Sequence, residues 1–565
     1  MKFWIRFIVI ISFLPIFAVA TGPKDSTNSS KYSYNNEEHD RKKQRSNVIK
    51  HTKPSKYYAH SGYLDNAYFI KQASIKVEGI DFDQNIDFIY QKYINKQVNN
   101  DDLLKITEDI TKYFLEKDYL LPQVTINAKD LRKGTLNINV KIESIRDVIF
   151  IGETNSLLHK YAKKILEGKP TKISNTQRYL VLLNKIPGYD IQYNLRENIQ
   201  DEINKKESSI ELIITTTKLN GEIFANLDNY GTNTLGKDQL MADAEIFSTF
   251  IPGDSLSFTG MMTNHPDELY DVGLNYGVPI NNEGTRANFS VSYAEDNITN
   301  ESAESAVTAP NSHQTKLGLG ITHPLYLTAT QNLDIFLGTY YNKLVNYDLF
   351  SIDTFGKSDS SRYLSIDIGA EYLLDDKFEG HNIIRTSFVQ GLDGTYNYYL
   401  DPNTVKDKHF NLYKFDAYRQ QSLPNNFSLF GHVAVHYSDK NIPDQELFGL
   451  GGRVFGRGYE FFTLDGNQLV AFSFETRYSR ELEYGLLHEL EPYLFYDVGY
   501  VGKQSSNTDI TNISSTGGGL RFKFDKDINI GLEVAQPLNK SFKVGGEDVH
   551  AGTRVNVFIN KTFKF

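Results

Sequence analysis

Two side chains in this 565-residue chain sit in surroundings that could support chemistry. Ser255 lies in PGDSLSFTG (252–260), directly after Gly253 and Asp254. A serine hydroxyl is a weak nucleophile until an adjacent base, usually histidine, takes its proton. Arg457 lies in ELFGLGGRVFGRGYE (446–460), with Gly456 and Gly458 on either side. Its planar fork of donors suits a carboxylate in fixed geometry. The elements that hold each residue decide between them.

Around Ser255, LMADAEIFSTFI (240–251) and SLSFTGMMT (255–263) both alternate as strands, joined by PGD (252–254). Pro and Gly are what a tight hairpin asks for. The stretch resembles the nucleophile block of GDSL-type lipases and esterases. That resemblance implies a base in an Asp-x-x-His block near the C-terminus. None of the thirteen histidines has Asp three positions earlier; the nearest case is Glu547 before His550. No helix follows the serine, so a turn is expected here and no enzyme.

The ends and the composition narrow the class. Lys2 and Arg6 precede the apolar run Phe7–Val19, and Ala18-Val19-Ala20 supplies small residues before a cut. Residues 1–20 therefore read as a secretory signal peptide. Residues 21–67 are polar and read as a linker, with a short helix around EEHDRKKQR as the alternative. After the leader no run of eighteen apolar residues occurs, which excludes a transmembrane helix. There is no cysteine, and the net charge of -10 speaks against a nucleic-acid partner. No Walker-type Gly-x4-Gly-Lys-Ser/Thr is present, and no nucleotide, metal or other cofactor is expected. The 36 Tyr and 36 Phe beside a mean hydropathy of -0.42 fit a β-protein that shows an apolar side chain only every second residue.

From Ile75 a β-α-α-β-β pattern appears. IKVEGI (75–80) is a strand, IDFIYQKYI (86–94) has helical spacing, and DDLLKITEDITKYFLEK (101–117) sets Leu103, Thr107, Ile110 and Phe114 on one helical face. PQVTINA (122–128) and TLNINVKIE (135–143) alternate as strands. The order repeats through 145–152, 155–168, 174–188, 189–195 and 208–217, with Ser174 and Gln177 spaced as a capping box and Pro187-Gly188 ending the helix. Beyond 218, alternating segments such as TRANFSVSYAE (285–295) recur about every twenty residues, about sixteen in all. Their apolar face is rich in Tyr and Phe, and the other carries charge. A closed barrel with lipid outside and water inside satisfies both faces and leaves no edge.

The tandem unit, with VEGI ending its first strand and YLVLLNKIPG in the second copy, resembles paired POTRA domains. Among their carriers the chain resembles TpsB transporters of two-partner secretion. That implies a mainly β chain with α+β N-terminal domains: POTRA 1 at 68–144, POTRA 2 at 145–217, and a 16-stranded antiparallel transmembrane β-barrel at 218–565. FANLDNYGTNTLGKDQL (224–240) resembles the family's first barrel hairpin. The stretch 446–460 resembles its sixth extracellular loop, whose Val-Arg-Gly-Tyr tip reads here as Arg457-Gly458-Tyr459 after Gly456 in place of valine. In PYLFYDVGYVG (492–502), Leu494, Tyr496, Val498 and Tyr500 suit the lipid face, so Asp497 points inward with Phe495 and Gly499. The resemblance implies that Asp497 and Gly499 receive the loop arginine. The terminal strand, with Val555, Val557, Ile559, Phe563 and Phe565 on one face and Lys561 the exception, resembles an assembly signal at Phe563 and Phe565.

The function implied is export of one large haemolysin- or adhesin-like exoprotein across a Gram-negative outer membrane, caught by periplasmic POTRA domains. Its partners would be that TpsA-like exoprotein, outer-membrane lipid and, during biogenesis, the barrel assembly machinery. A general barrel-assembly factor of the same superfamily is the alternative. A passive porin would not need the repeats at 75–217.

Overall fold

The computed structural model describes residues 67–198, 209–233, 235–264, 269–296, 311–347, 358–397, 406–504, 511–544 and 547–565, which form two compact units. The expected signal peptide and the expected linker, apart from its last residue, lie outside the described residues.

The first unit holds two copies of one three-stranded design. In the first copy, strand Gln72–Glu78 runs parallel to Thr135–Ile142, which pairs antiparallel with Pro122–Ile126. In the second, Ile145–Gly152 runs parallel to Ser209–Lys218, which pairs antiparallel with Tyr189–Asn198. The repeat extends to single atoms. Gly79 (φ +92°) and Gly152 (φ +108°) both end a first strand, and a Cβ on either would lie within 2.4 and 2.2 Å of the carbonyl oxygens of Ile142 and Thr216. Only glycine tolerates that backbone at that approach.

Helix Asn100–Glu116 buries Leu103, Ile106, Thr107, Ile110 and Phe114, the face its spacing set. Asn99 and Asp102 close a capping box at its start. Two expectations need correction. Residues 86–94 form two single 3-10 turns, Asp87–Ile89 and Gln91–Tyr93, before Asn95 turns the chain at φ +61°. The helix Ile173–Asn184 has no capping box of its own: Ser174 lies inside it, and its N–H and hydroxyl donate to the Asp118 carboxylate at 2.8 and 2.7 Å. The first copy thus caps a helix of the second. Leu120 N–H to Thr171 O (3.0 Å) and Ile145 N–H to Thr171 Oγ1 (2.8 Å) fix the joint further.

The second unit is a closed antiparallel barrel of sixteen principal strands. They are β1 (Gly221–Asp228), β2 (Gln239–Phe247), β3 (Ser255–Thr263), β4 (Leu269–Pro279), β5 (Arg286–Asp296), β6 (Asn311–Leu327), β7 (Gln331–Tyr347), β8 (Ser358–Asp375), β9 (Gly380–Asn397), β10 (Asn411–Ser422), β11 (Phe427–Tyr437), β12 (Leu464–Tyr478), β13 (Leu487–Gln504), β14 (Asn512–Phe524), β15 (Ile528–Pro537) and β16 (Arg554–Lys564). Closure comes from β16 on β1, with Phe558 opposite Asp228 and Lys564 opposite Glu222. Alternation sets the two faces. On β13, Leu494, Tyr496 and Tyr500 are exposed outward at 69, 43 and 53 %, while Phe495 and Asp497 are buried inside. That is the pattern of a strand with lipid on one side only.

Residues 248–254 form the β2–β3 turn. The Asp254 carboxylate accepts from the N–H groups of Thr249, Phe250 and Ile251 at 2.7, 3.0 and 2.9 Å, and Gly253 takes φ +84°. Asp254 is therefore the turn's internal acceptor. Ser255 opens β3, and among the described residues no hydrogen bond joins it to a histidine.

Candidate functional site

The connection between β11 and β12, the sixth at the long-loop end, folds back into the lumen. Left-handed glycines make the return: Gly451 (φ +105°), Gly452 (φ +82°) and Gly456 (φ +85°). Gly451 N–H donates to Phe455 O (2.7 Å), and Gly452 N–H to Tyr459 O (3.1 Å). The departure from valine at Gly456 acquires a reason. A β-branched residue is strained at that φ, and its Cβ would stand 2.7 Å from Ile513 Cδ1.

The tip places Arg457 against the wall formed by β12 to β15. Nε and Nη2 donate to the two Asp497 oxygens at 2.9 and 2.8 Å, and the backbone N–H adds a third bond at 3.1 Å. Nη1 reaches Glu475 Oε1 at 2.6 Å and Glu533 Oε2 at 3.3 Å. The guanidinium lies 3.5 Å over the Phe495 ring centroid, a cation–π contact in a buried setting. Burial opposes its charge, but Asp497, Glu533 and Glu475 outweigh burial and hold it protonated. Asp497 also accepts from Ser473 Oγ (2.8 Å) and Ser515 Oγ (3.3 Å), so every direction around the carboxylate is used.

The neighbouring expected residues have complementary tasks. A Cβ on Gly499 would lie 2.5 Å from the Leu450 side chain, so this glycine admits the loop. Gly458 passes the β15 end, where a Cβ would stand 2.6 Å from Pro537 N. Tyr459 is buried, and its hydroxyl accepts from Asn539 N–H at 2.9 Å and donates to Asn539 O at 3.0 Å. Leu450, Phe455 and Tyr459 pack with Leu469, Ala471, Val501 and Ile513 of the wall. The structure therefore brings Arg457, Gly458, Tyr459, Asp497 and Gly499 to one place. Phe563 and Phe565 lie elsewhere, exposed at the end of β16.

Several members of the site were missed in the sequence. Glu475 is shared by Arg457, Arg477 Nε (2.7 Å) and Arg521 Nη2 (3.1 Å), and Arg521 also pairs with Glu491 at 2.7 Å. Glu533 accepts from Tyr493 (2.9 Å), Tyr230 (3.2 Å) and Asn556 (3.0 Å), linking the tip to both sides of the closing seam. Arg453 pairs with Asp228 of β1. The start of the loop is held to other strands: Gln445 Nε2 donates to Ser361 Oγ on β8 (2.9 Å), and Glu446 pairs with Lys414 on β10 (2.8 Å) and accepts from Tyr363 on β8 (3.2 Å). Burial pushes the Glu446 carboxyl up, but Lys414 and Lys316 outweigh it and hold it below the ordinary range. Strand parity was the available signal, since Glu475 and Glu533 both occupy inward positions. Parity alone does not say which inward charges meet.

The loop is thus fastened by ion pairs to β1, to β10 and to the β12–β15 wall. A sixteen-stranded closed barrel with such an inserted loop, following two POTRA folds, defines an outer-membrane translocation channel with its POTRA domains in the periplasm. The family model for the haemolysin secretion/activation protein ShlB/FhaC/HecB matches residues 207–522, and that for the ShlB-type POTRA domain matches 70–142. The chain belongs to the ShlB/FhaC/HecB family, the TpsB-type channels of two-partner secretion. The haem/haemopexin transporter protein HuxB of Haemophilus influenzae (strain 86-028NP) is 21% identical over 478 residues, 80% of either chain. CdiB from Escherichia coli has a similar fold at TM-score 0.71 and 14% identity, covering 97% of this chain and 100% of its own. CdiB from Acinetobacter baumannii gives 0.60 and 14%, covering 95% and 98%.

Proposed function

We propose that this channel exports one large TpsA-like exoprotein of the haemolysin or adhesin kind, and that the Arg457 loop gates it. The observation carrying this reading is the loop itself, buried in the lumen and held by ion pairs to β10 and to β13. No reaction is assigned to Ser255 or to any other residue. The POTRA sheets end in open edge strands, Gln72–Glu78 among them, suited to adding an extended cargo segment by backbone hydrogen bonds. Cargo folding at the cell surface then supplies the direction of transport.

The test is coexpression with a candidate cargo, a large exported β-helical protein. Secretion is expected to need this channel, while its depletion leaves other outer-membrane barrels at normal levels. A simultaneous fall of many barrels would establish the assembly-factor alternative instead.

Phe563 and Phe565 are proposed as the signal read by the barrel assembly machinery. Phe565 also helps close the seam: its carbonyl accepts from Asn220 and Gly221 N–H at 2.7 and 3.1 Å, and its ring fills the space a Cβ on Gly221 would take. Deleting Phe565 is expected to lower the heat-modifiable, folded barrel in outer-membrane fractions several-fold. Unchanged levels would remove the residue from assembly.

A further inference from the structure

Among the described residues, a basic rung on the outward face of β7 and β8 has no acidic ion-pair partner. Going up these strands, Leu333 stands opposite Tyr372, Ile335 opposite Ala370, Leu337 opposite Ile368, Thr339 opposite Ile366 and Tyr341 opposite Leu364. Ile335, Leu337, Tyr341, Leu364 and Ile368 are all exposed to the surroundings of the barrel. The next outward rung is Lys343 opposite Arg362. Their neighbours Asn342, Leu344, Ser361 and Tyr363 are buried on the lumenal face, so both cations point to the membrane side. From Leu333 to Tyr341 the ladder spans about 27 Å along the strand at ~3.4 Å per residue. With a tilt of ~40° that is about 20 Å of height, against an apolar band of about 25 Å. The basic rung therefore lies where hydrocarbon gives way to outer-leaflet headgroups.

Like charges directly opposite each other across a strand pair repel. Among the described residues, neither Lys343 nor Arg362 has an ion-pair or hydrogen-bond partner for its side chain. The corresponding rim of β5 and β6 is built differently. There Glu295 stands opposite His313 and accepts from the Tyr270 and Tyr293 hydroxyls at 2.8 and 2.9 Å, so its charge is met within the protein. The exposed carboxylate of Asp393 on β9, opposite Leu364, accepts from Gly394 N–H at 2.7 Å and among the described residues pairs with neither cation, so the rung is open to an anion from outside. An arginine fork and a lysine point charge side by side fit a phosphate, and Tyr341 beneath offers a surface for the adjoining acyl or sugar portion.

We propose that Lys343 and Arg362 bind the phosphate-bearing headgroup of an outer-leaflet glycolipid of the lipid A class. The site would anchor the barrel in its leaflet and does not depend on the secretion reading. The test uses the full chain in detergent, with retained lipid read by native mass spectrometry. Lipid A is expected to be retained at least tenfold better by the wild type than by K343Q/R362Q. R362K, which keeps the charge but loses the fork, should fall between them. K561Q, which removes an outward cation on β16, should behave as wild type. Dephosphorylated lipid A should bind no better to wild type than lipid A binds to the double variant. All variants must show heat-modifiable mobility, which reports a folded barrel. Equal retention of lipid A by the double variant overturns the site. So does equal retention of the dephosphorylated form, or of phosphatidylglycerol or inorganic phosphate in place of lipid A.

Discussion

Replacing Arg457 by alanine is expected to release the loop tip and to raise conductance in planar bilayers to long-lived open levels. The wild type should show only brief openings. The magnitude follows from what is left behind. Asp497, Glu475 and Glu533 converge on the guanidinium from three strands, at 2.8, 2.6 and 3.3 Å. Without it, Asp497 remains fully buried with only serine hydroxyls and the backbone N–H of position 457 to answer its charge. Breaking a buried pair from one side costs about 3–5 kcal/mol, which moves the latch equilibrium by a factor of roughly a hundred to several thousand. Arg457→Lys should recover part of this, because the charge returns but the bidentate fork and the stacking on Phe495 do not. Asp497→Ala should resemble Arg457→Ala, and the double variant should cost less than the sum of the two, as coupled neighbours do. If Arg457→Ala leaves conductance and thermal stability unchanged, the guanidinium does not hold the loop.

The loop tip was legible in the sequence because two constraints met. Resemblance to the family's Arg-Gly-Tyr tip marks Arg457 among the two arginines of 446–460, and parity on a single strand turns Asp497 and Gly499 to the same side as Phe495. The barrel was legible for the same reason, since a period of two survives in each segment taken alone. Glu475 and Glu533 were not, although parity faces them inward. They meet Arg457 only after closure brings β12, β13 and β15 around one loop, and that register is set by pairings from Gly221 to Lys564. The Asp118 cap was hidden in the same way: a capping box is read within four residues, whereas this acceptor lies 56 positions away. Residues 86–94 failed for another reason. Ile86, Ile89, Tyr90 and Tyr93 are spaced as one helical face, and two separate 3-10 turns bury the same four side chains.

Deleting residues 446–460 separates a loop that only obstructs from one that takes part in transport. The deletion removes Glu446 and Arg457 together, and with them the fastenings to β10 and to the β12–β15 wall. The barrel should survive. β11 and β12 keep their register from Phe427 opposite Tyr478 to Tyr437 opposite Gln468, and residues 438–445 and 461–463 remain to span the gap. Glu475 keeps Arg477 and Arg521, while Asp497 and Glu533 lose their cation to an opened, hydrated lumen. A constantly open, high-conductance pore is therefore expected. If the loop were only an obstruction, cargo would then pass faster. The structure gives a reason to expect the opposite. The loop packs Leu450, Phe455 and Tyr459 against the wall and carries Arg453 and Arg457, so displacing it would expose an apolar and charged surface beside the path. Wall charges alone would leave a wide aqueous pore with nothing to guide an extended chain. Secretion is expected to fall at least about tenfold while conductance rises, a loss equivalent to about 1.4 kcal/mol or more in the rate-limiting step. Secretion at the normal level in the deleted channel would refute the gating role, and secretion above it would make the loop a plug.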